Sequence, residues 1–569
     1  MSITAKPAHW RLGVDYPTWG DNEIYFSMIK DYLLDGETPV DAYNRVCKSV
    51  SKEQNKPEFE KIYFDLIWDN ILGLSSPVLS NSGTDRGLPI ACFGVDVQDD
   101  TEDIGAKYDE IIQLAKGGGG IGINFDSLRH MGAPIKNNGT SDGTRPFIKI
   151  ADVIITHIKQ GKTRAGAGSA NQNVRHKDFF PSFLDMCDTV GDVDMQIRKL
   201  KQTAVIDDEF MLEVEKLNTE ETAQFMAVVR KRIETGMPFI LYKGNANKAN
   251  PPMYKYHDLS VKMTNICTEI MLHSDRTHTF VCCLASLNAT KQHLFATREA
   301  VKYSIYFLDG VMSEFIRKAK GKHGYENSVR FAEKSRALGL GLYGWHSFLI
   351  EQDLPYISIS SNYHAKRIFE HMKVEAFKAS QELAVMFGEP EWCKGFGVRN
   401  THQMAIAPTT SNSMLHGSFS PNTEPYTSVY WNEWASKGSF TRKNPYFVKL
   451  LTKLGRNTHD VWSDISAHDG SIQHLDFISD EDKDVYLTAF EINQMEMLKQ
   501  KGIMQTYVDQ GISTNIFLPK GTSPNYAFKL HYQAWKLGLK TLYYCHGQSS
   551  VSADRVSKNE NSDCGACDG

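Results

Sequence analysis

The chain has 569 residues, enough for several average domains or for one large domain with appendages. A composition that is 41% apolar and 23% charged excludes collagen-like, low-complexity and largely disordered chains. No apolar run approaches the ~20 residues of a membrane span. With 63 basic against 68 acidic side chains the net charge is −5, which argues against a broad nucleic-acid surface but leaves room for a local basic pocket that takes a phosphorylated small molecule. The segment from Met1 to Gly20 lacks a basic stretch followed by an apolar one, so no secretory leader is read and a cytoplasmic location is expected. Ten cysteines are too sparse for a disulfide scaffold. Cys47, Cys187 and Cys393 read as small buried hydrophobes.

In chain order, helical spacing of apolar residues predicts helices over Tyr25–Leu34 and Phe59–Leu72, separated by a Lys/Glu/Asn/Pro stretch, and residues 1–74 form a helical N-terminal region. From Ser75 the texture changes to short apolar runs alternating with helical patterns. Pro89–Val97 reads as a strand, Asp103–Lys116 as a helix stopped by Gly117–Gly120, and Ile121–Phe125 as a second strand. Further helices are expected over Asp207–Thr235, Thr297–Lys320 and Asn362–Phe387. Sustained alternation of this kind argues for an α/β architecture over residues 75–547. Residues 548–569 are rich in Ser, Asn, Asp, Lys and Gly, and read as a flexible tail.

Four patterns carry chemistry. The tail ends in Cys564-Gly-Ala-Cys567; two cysteines are too few for a structural zinc site, whereas one C-x-x-C pair suits reversible disulfide exchange. A flexible tail of this length spans about 27 Å, enough to reach a nearby site. In Asn265-Ile-Cys267-Thr-Glu269 an extended backbone would put the amide, the thiol and the carboxylate on one face at ~6.6 Å intervals. That combines a hydrogen-bond donor, a nucleophile or hydrogen-abstracting atom, and a base, although chance spacing explains it equally well in isolation. In Val281-Cys282-Cys283-Leu284 neighbouring strand residues face opposite ways, so at most one of the two sulfurs serves a common site. Tandem Tyr543-Tyr544 is common in strands, and Pro408-Thr409-Thr410-Ser411-Asn412-Ser413 suits either an anion cradle or a helix cap.

Taken together and in order, these elements resemble the large catalytic subunit of class I ribonucleotide reductase. The similarity runs from about Ser75 to the C-terminus. It rests on Ser75-Ser76-Pro77, Cys92, the Gly119–Asn124 segment GGIGIN, Asn265-x-Cys267-x-Glu269, Cys282, the Arg336–Gly344 segment RALGLGLYG, Pro408–Ser413, Tyr543-Tyr544 and the terminal cysteine pair. The resemblance implies a ten-stranded α/β barrel made of two parallel five-stranded halves around a central finger loop. It implies radical-based reduction of ribonucleoside diphosphates to 2′-deoxyribonucleoside diphosphates. An adenosylcobalamin-dependent reductase with the same barrel is the alternative, and the tyrosine pair argues against it because such an enzyme needs no relay to a second protein.

By the same resemblance Cys267 carries the transient thiyl radical, Glu269 takes the 3′-hydroxyl proton and Asn265 holds the substrate hydroxyls. Cys92 and Cys282 are the reducing pair, Cys282 being preferred to Cys283 for its place two residues before Leu284. Tyr543 and Tyr544 relay the radical from a ferritin-like, metal-containing small subunit. Cys564 and Cys567 re-reduce the site and are themselves reduced by thioredoxin or glutaredoxin. Ser76, Ala91, Thr409, Ser411, Asn412 and Ser413 lie against the substrate, and Arg164, in the Gly-rich segment Lys162–Ser169, reaches its base. Asp99, Arg129 and Lys136 bind a deoxynucleoside triphosphate or ATP effector with Mg2+ at the interface of a homodimer. No metal and no tightly bound cofactor is expected in this chain. Too few residues precede the barrel for the family's ATP-cone, so dATP is expected to act on specificity alone.

Overall fold

The computed structural model describes residues 6–7, 9–90, 92–158, 166–188, 196–435 and 438–548, leaving aside the side chains of 432–440. Ala91, Arg164, Cys564 and Cys567 lie outside the described residues, as does the first half of the Lys162–Ser169 segment.

Three helices open the chain. Asn22 caps Glu23–Ile29 by accepting from Tyr25 N, and Thr38 with Asp41 forms a capping box for Pro39–Glu53. Glu58–Trp68 comes next. The middle helix is not among those expected from periodicity, since its polar residues read as a linker. Pro39 at its start and the box around Thr38 are the local signals that set it. These helices pack onto the body of the molecule. Gln54 donates to Tyr306 O (2.7 Å) and accepts from Tyr63 Oη (2.7 Å), and Trp19 stacks on His416 at 4.7 Å. One contiguous apolar core runs from Trp10 to Cys545.

The strands are β1 (Leu72–Leu74), β2 (Cys92–Asp96), β3 (Gly120–Asn124), β4 (Ala167–Asn173), β5 (Leu200–Ile206), β6 (Phe239–Tyr242), β7 (Phe280–Asn288), β8 (Leu338–Tyr343), β9 (Tyr430–Ala435), β10 (Gly438–Lys443), β11 (Ile516–Leu518), β12 (Thr541–Leu542) and β13 (Cys545–Gly547). Strands β2 to β6 pair in parallel, each with the next. The second half runs β7, β8, residues 402–406, residues 511–518 and the final strand. Its parallel ladder passes through Leu338 N to His402 O (2.9 Å), Ile406 N to Gly511 O (2.9 Å) and Ile516 N to Tyr544 O (2.9 Å). The two halves meet antiparallel on both sides, β2 with β7 and β6 with β12. The curled sheet is therefore the expected barrel of two parallel five-stranded halves. A hairpin, β9–β10, and the helices after it build a smaller core around Phe447, Trp462, Ile465 and Tyr486.

Helices pack around the sheet close to where periodicity puts them: Thr101–Lys116, Ala300–Ala319 and Ile359–Phe387. The single helix expected over Asp207–Thr235 is two, Asp208–Glu215 and Glu220–Thr235. Leu217 and Asn218 break it with φ of 59° and 56°, and Thr219 caps the second helix. Among the described residues no helix is long and apolar enough to cross a membrane.

Inside the barrel, Val261 and His273 bridge the stem of a loop whose tip is Ile266–Thr268. The sheet makes room for it with glycine. A Cβ on Gly122 of β3 would stand 1.9 Å from Thr264 O, and one on Gly511 would stand 2.8 Å from Thr268 O. Gly122→Ala is expected to push the loop from its seat and cost about 1–3 kcal/mol by overpacking. A lowered urea midpoint together with lost turnover checks this, and wild-type values for both would refute it.

Candidate active site

The loop is held by side chains from both halves of the barrel. Asn171 on β4 brackets the Thr264 peptide, accepting from its N–H (3.1 Å) and lying 3.4 Å from its carbonyl oxygen. From the other half, Gly511 N donates to Glu269 O (2.8 Å) and Ser513 Oγ to Cys267 O (2.6 Å). Asn265 N donates to Ile270 O (3.1 Å), and Thr268 adopts a φ of 66°.

The segment is therefore a tight turn, not the extended strand inferred from alternate spacing. The Asn265 and Glu269 side chains still meet, through turn geometry instead, with Cys267 at the tip between them. Asn265 Nδ2 donates to Glu269 Oε1 at 2.9 Å, and Asn265 Oδ1 accepts from Ile270 N. Asn265, Cys267, Thr268 and Glu269 are all buried. An extended backbone would have kept the amide and the carboxylate ~13 Å apart.

Cys92 opens β2 and faces Cys282 of β7 directly across the antiparallel junction. Residues paired in this way have Cα atoms about 4.5–5.5 Å apart, inside the range that a disulfide spans. Neither cysteine is in a disulfide in this structure. Cys283, on the opposite face, donates to Leu308 O (3.3 Å) among the helices. The two neighbouring cysteines thus part as alternation requires. Burial pushes the Cys282 thiol well above its ordinary range, with Cys283 and Cys92 adding to the effect, while a hydrogen bond from Gln510 Nε2 (3.7 Å) opposes it. Cys282 is a protonated thiol at neutral pH.

Beside the loop, Thr409 has a φ of 53° and begins the short helix Thr410–Leu415. Its hydroxyl accepts from Asn422 N (2.7 Å), and Asn422 Nδ2 lies 3.3 Å from Ser513 O, which ties this turn to the finger loop's support. Ser411, Asn412 and Ser413 are buried, Ser413 Oγ donates to Thr410 O, and Asn412 Oδ1 is buried without a protein partner. The first N–H groups of such a helix have no intrahelical acceptor. Gly73 of β1 lies against the Asn412 amide, and three residues on Ser76 Oγ is 3.1 Å from Tyr32 Oη.

At the far end of the barrel's second half the Tyr543 and Tyr544 rings pack with centroids 4.5 Å apart. Phe239 of β6 touches both, at 4.6 and 4.8 Å. Tyr543 is buried and Tyr544 half-buried. Tyr543 N donates to Thr514 O (2.7 Å), and Arg232 Nη2 donates to Tyr543 O (2.8 Å).

Away from this centre, Arg129 Nε pairs with Asp99 Oδ2 at 2.9 Å just beyond the end of β2. Lys136 sits exposed on the hairpin closed by Pro134 and Thr140, outside that pair. Met131, Ile135, Ile150 and Val153 are exposed in the same part of the chain.

Sequence reasoning missed Asn171, Gln510, Gly511 and Ser513. The one available signal was a polar, small-residue run, Asp509-Gln510-Gly511-Ile512-Ser513-Thr514, where a barrel strand should be apolar.

With this geometry in place, comparison with known proteins is direct. The family model for the ribonucleotide reductase barrel domain matches residues 90–227, 220–392 and 390–545. A putative ribonucleoside-diphosphate reductase large subunit of Frog virus 3 is 31% identical, over 90% of this chain and 93% of its own length. The ribonucleoside-diphosphate reductase large subunit of Caenorhabditis elegans is 28% identical, over 88% and 72%. Among solved structures, the Actinobacillus ureae class Id ribonucleotide reductase alpha subunit superposes with a TM-score of 0.87 at 35% identity, covering 93% of this chain and 98% of that one. The chain belongs to the ribonucleotide reductase family.

The register across β2 and β7 generates a chemical expectation. Mild oxidation of the folded chain should join Cys92 to Cys282 and leave Cys283 unmodified, as read by peptide mapping. Cys283→Ser should not prevent the coupling, and a Cys92–Cys283 bridge would contradict the register.

Proposed function

We propose that this chain is the catalytic large subunit of a class I ribonucleotide reductase, reducing ribonucleoside diphosphates to 2′-deoxyribonucleoside diphosphates. The observation that carries the reading is the meeting of Cys92 and Cys282, paired across the barrel junction, with a finger loop that presents Cys267 between Asn265 and Glu269. A radical on Cys267 takes the 3′ hydrogen, and Glu269, oriented by Asn265, takes the 3′-hydroxyl proton. Cys92 or Cys282 protonates the departing 2′-hydroxyl, which leaves as water. The pair also delivers a hydrogen to C2′ and ends as a disulfide, having supplied two electrons and two protons in all, and Glu269 returns its proton to the 3′ oxygen. Cys267 returns its hydrogen to C3′ and is regenerated as the radical. A buried, protonated Cys282 suits a proton donor. A closed barrel interior keeps water from the substrate radical.

The turn at Thr409–Ser413, with Ser76 and Ala91, takes the substrate and its diphosphate. The open first turn of the helix favours the diphosphate, while the orphaned Asn412 amide oxygen suits a donor such as a substrate hydroxyl. Arg164 reaches the base. Tyr543 and Tyr544, in ring contact, relay the radical from a metal-containing, ferritin-like small subunit. The likeness to a class I alpha subunit favours this over an adenosylcobalamin-dependent reaction. Cys564 and Cys567 re-reduce the pair and are recharged by thioredoxin or glutaredoxin. Asp99, Arg129 and Lys136 read a deoxynucleoside triphosphate or ATP effector with Mg2+, and the exposed apolar side chains beside them suit the interface of a homodimer.

The decisive assay pairs the purified chain with its small subunit. Deoxynucleotide should form only when both are present, without adenosylcobalamin. Cys267→Ser should bind nucleoside diphosphate as tightly as wild type and give no product, because an alcohol does not replace a thiol in hydrogen abstraction. Multiple turnovers by that variant would remove Cys267 from the mechanism.

The tail generates a separate expectation. The double change Cys564→Ser and Cys567→Ser should allow one turnover from pre-reduced enzyme and then stall with thioredoxin, while a small dithiol restores turnover. Wild-type steady-state rates with thioredoxin would exclude the tail as shuttle.

A further inference from the structure

Lys540 lies three residues before Tyr543 and is 2% exposed. Its ammonium donates to three successive carbonyl oxygens, Val508 (3.0 Å), Asp509 (2.6 Å) and Gln510 (3.0 Å). An ammonium has three donors and no acceptor, so all of its capacity is used on one strip of backbone. The Asp509 carboxylate is occupied elsewhere, by Gln403 N (2.8 Å) and Met404 N (2.9 Å). Among the described residues no carboxylate forms an ion pair with Lys540. A buried cation whose hydrogen bonds all go to neutral carbonyls is an expensive way to fasten two strands, since amide-to-carbonyl bonds do the same without desolvating a charge.

The residues at the end of the clamped strip and just beyond it explain its position. The Gln510 side chain lies 3.7 Å from Cys282 Sγ, and Gly511 N holds Glu269 O. Ser513 Oγ holds Cys267 O. On the other side of the clamp, Lys540 leads through β12 into the tyrosine pair. The ammonium is thus a direct tie between the chain that carries the tyrosines and the strand that positions both the finger loop and the redox thiol.

We propose that Lys540 is a positioning residue for the radical reaction, fixing the tyrosine pair and the thiol centre relative to one another through the carbonyls of residues 508–510. The proposal rests on the reductase reading above. It has a protonation signature. Burial lowers the lysine to about 7; the Asp509 carboxylate opposes that shift and Lys373, from the helix Ile359–Phe387, adds to it. His402, nearby, is itself held neutral by burial, at about 4. Below the Lys540 transition the ammonium serves three carbonyls. Above it a neutral amine has two N–H donors, and one carbonyl is left unpaired.

The test uses the full chain with its small subunit, and compares wild type, Lys540→Gln and Lys540→Arg. Wild-type turnover in the same assay tests the reductase reading by itself, so a failure of the present proposal is told apart from a failure of that reading. Lys540→Gln should melt cooperatively, keep the KM for nucleoside diphosphate within twofold and lose at least tenfold in kcat. Lys540→Arg, charged throughout, should recover most of kcat at pH 7 and hold it to higher pH than wild type. A kcat for Lys540→Gln within twofold of wild type would overturn the proposal. So would equal losses in both variants with an unchanged pH profile, which would leave the lysine a packing role only. If Lys540→Gln does not fold, the pH profile of Lys540→Arg decides on the same terms.

Discussion

Asn171 brackets the Thr264 peptide from one half of the barrel while Gly511 and Ser513 hold the carbonyls of Glu269 and Cys267 from the other. Everything chemical in the molecule depends on that seat. A loop driven through the middle of a barrel carries backbone N–H and C=O groups into a place without bulk water, and each unpaired group costs about 1–3 kcal/mol. The walls must therefore be polar where they face it. Hence β4 reads Ala-Gly-Ser-Ala-Asn-Gln-Asn although every one of its residues is buried. The same need places glycine at 122 and 511, where a side chain would displace the loop's backbone. Once the loop is seated, its turn brings Asn265 and Glu269 into hydrogen-bond contact and leaves Cys267 at the tip.

This polarity explains which parts of the fold were legible in the sequence. Helices facing hydrocarbon were readable: Thr101–Lys116, Ala300–Ala319 and Ile359–Phe387 lie within three residues of where periodicity puts them. Strands β2 and β3, lying within the apolar runs Pro89–Val97 and Ile121–Phe125 but for the first residue of β3, were readable too. Strand β4 was not, because its buried face meets a polar loop, and the alternation rule assumes that burial means hydrocarbon. The strip from Asp509 to Thr514 hid for the same reason. The split of Asp207–Thr235 escaped because its cause, positive φ at Leu217 and Asn218, lies in residue types that give little warning of it.

Motif order across several hundred residues singled out Asn265, Cys267, Glu269, Cys92 and Cys282 as candidates, and the structure sets Asn265 against Glu269 and Cys92 opposite Cys282. Spacing alone suggested an extended segment, whereas the turn at Ile266–Thr268 agrees with the loop tip that the family resemblance implies for Cys267. Spacing of two is shared by both conformations, and residue identity does not separate them. The supporting shell stayed out of sight for another reason. Gln510, Gly511 and Ser513 act through backbone contacts and one weak bond to sulfur, and such roles carry little residue-type signature.

The antiparallel junction between the halves completes the logic. Had β7 continued the parallel order from β2, the ladder bonds would be evenly spaced and slanted, and no two residues would exchange both of their bonds as antiparallel partners can. Antiparallel pairing sets Cys92 squarely against Cys282, so that two thiols on strands 190 positions apart in sequence stand at disulfide distance without a flexible segment. That advantage is sensitive to register, because a slip of one residue turns every side chain of a strand to its other face. Here a slip of β7 would send Cys282 into the helical shell and bring Cys283 inward, giving a barrel with a cysteine still in place but with the finger loop's neighbours misaligned. What prevents it is the rest of β7, where Cys283 to Asn288 pair in parallel with β8 along one edge, and Ala285, Ser286 and Leu287 pair antiparallel with β1 along the edge shared with β2. One nine-residue strand is thereby fixed by three partners, and the Cys92–Cys282 pairing inherits its alignment from ladders that contain neither cysteine.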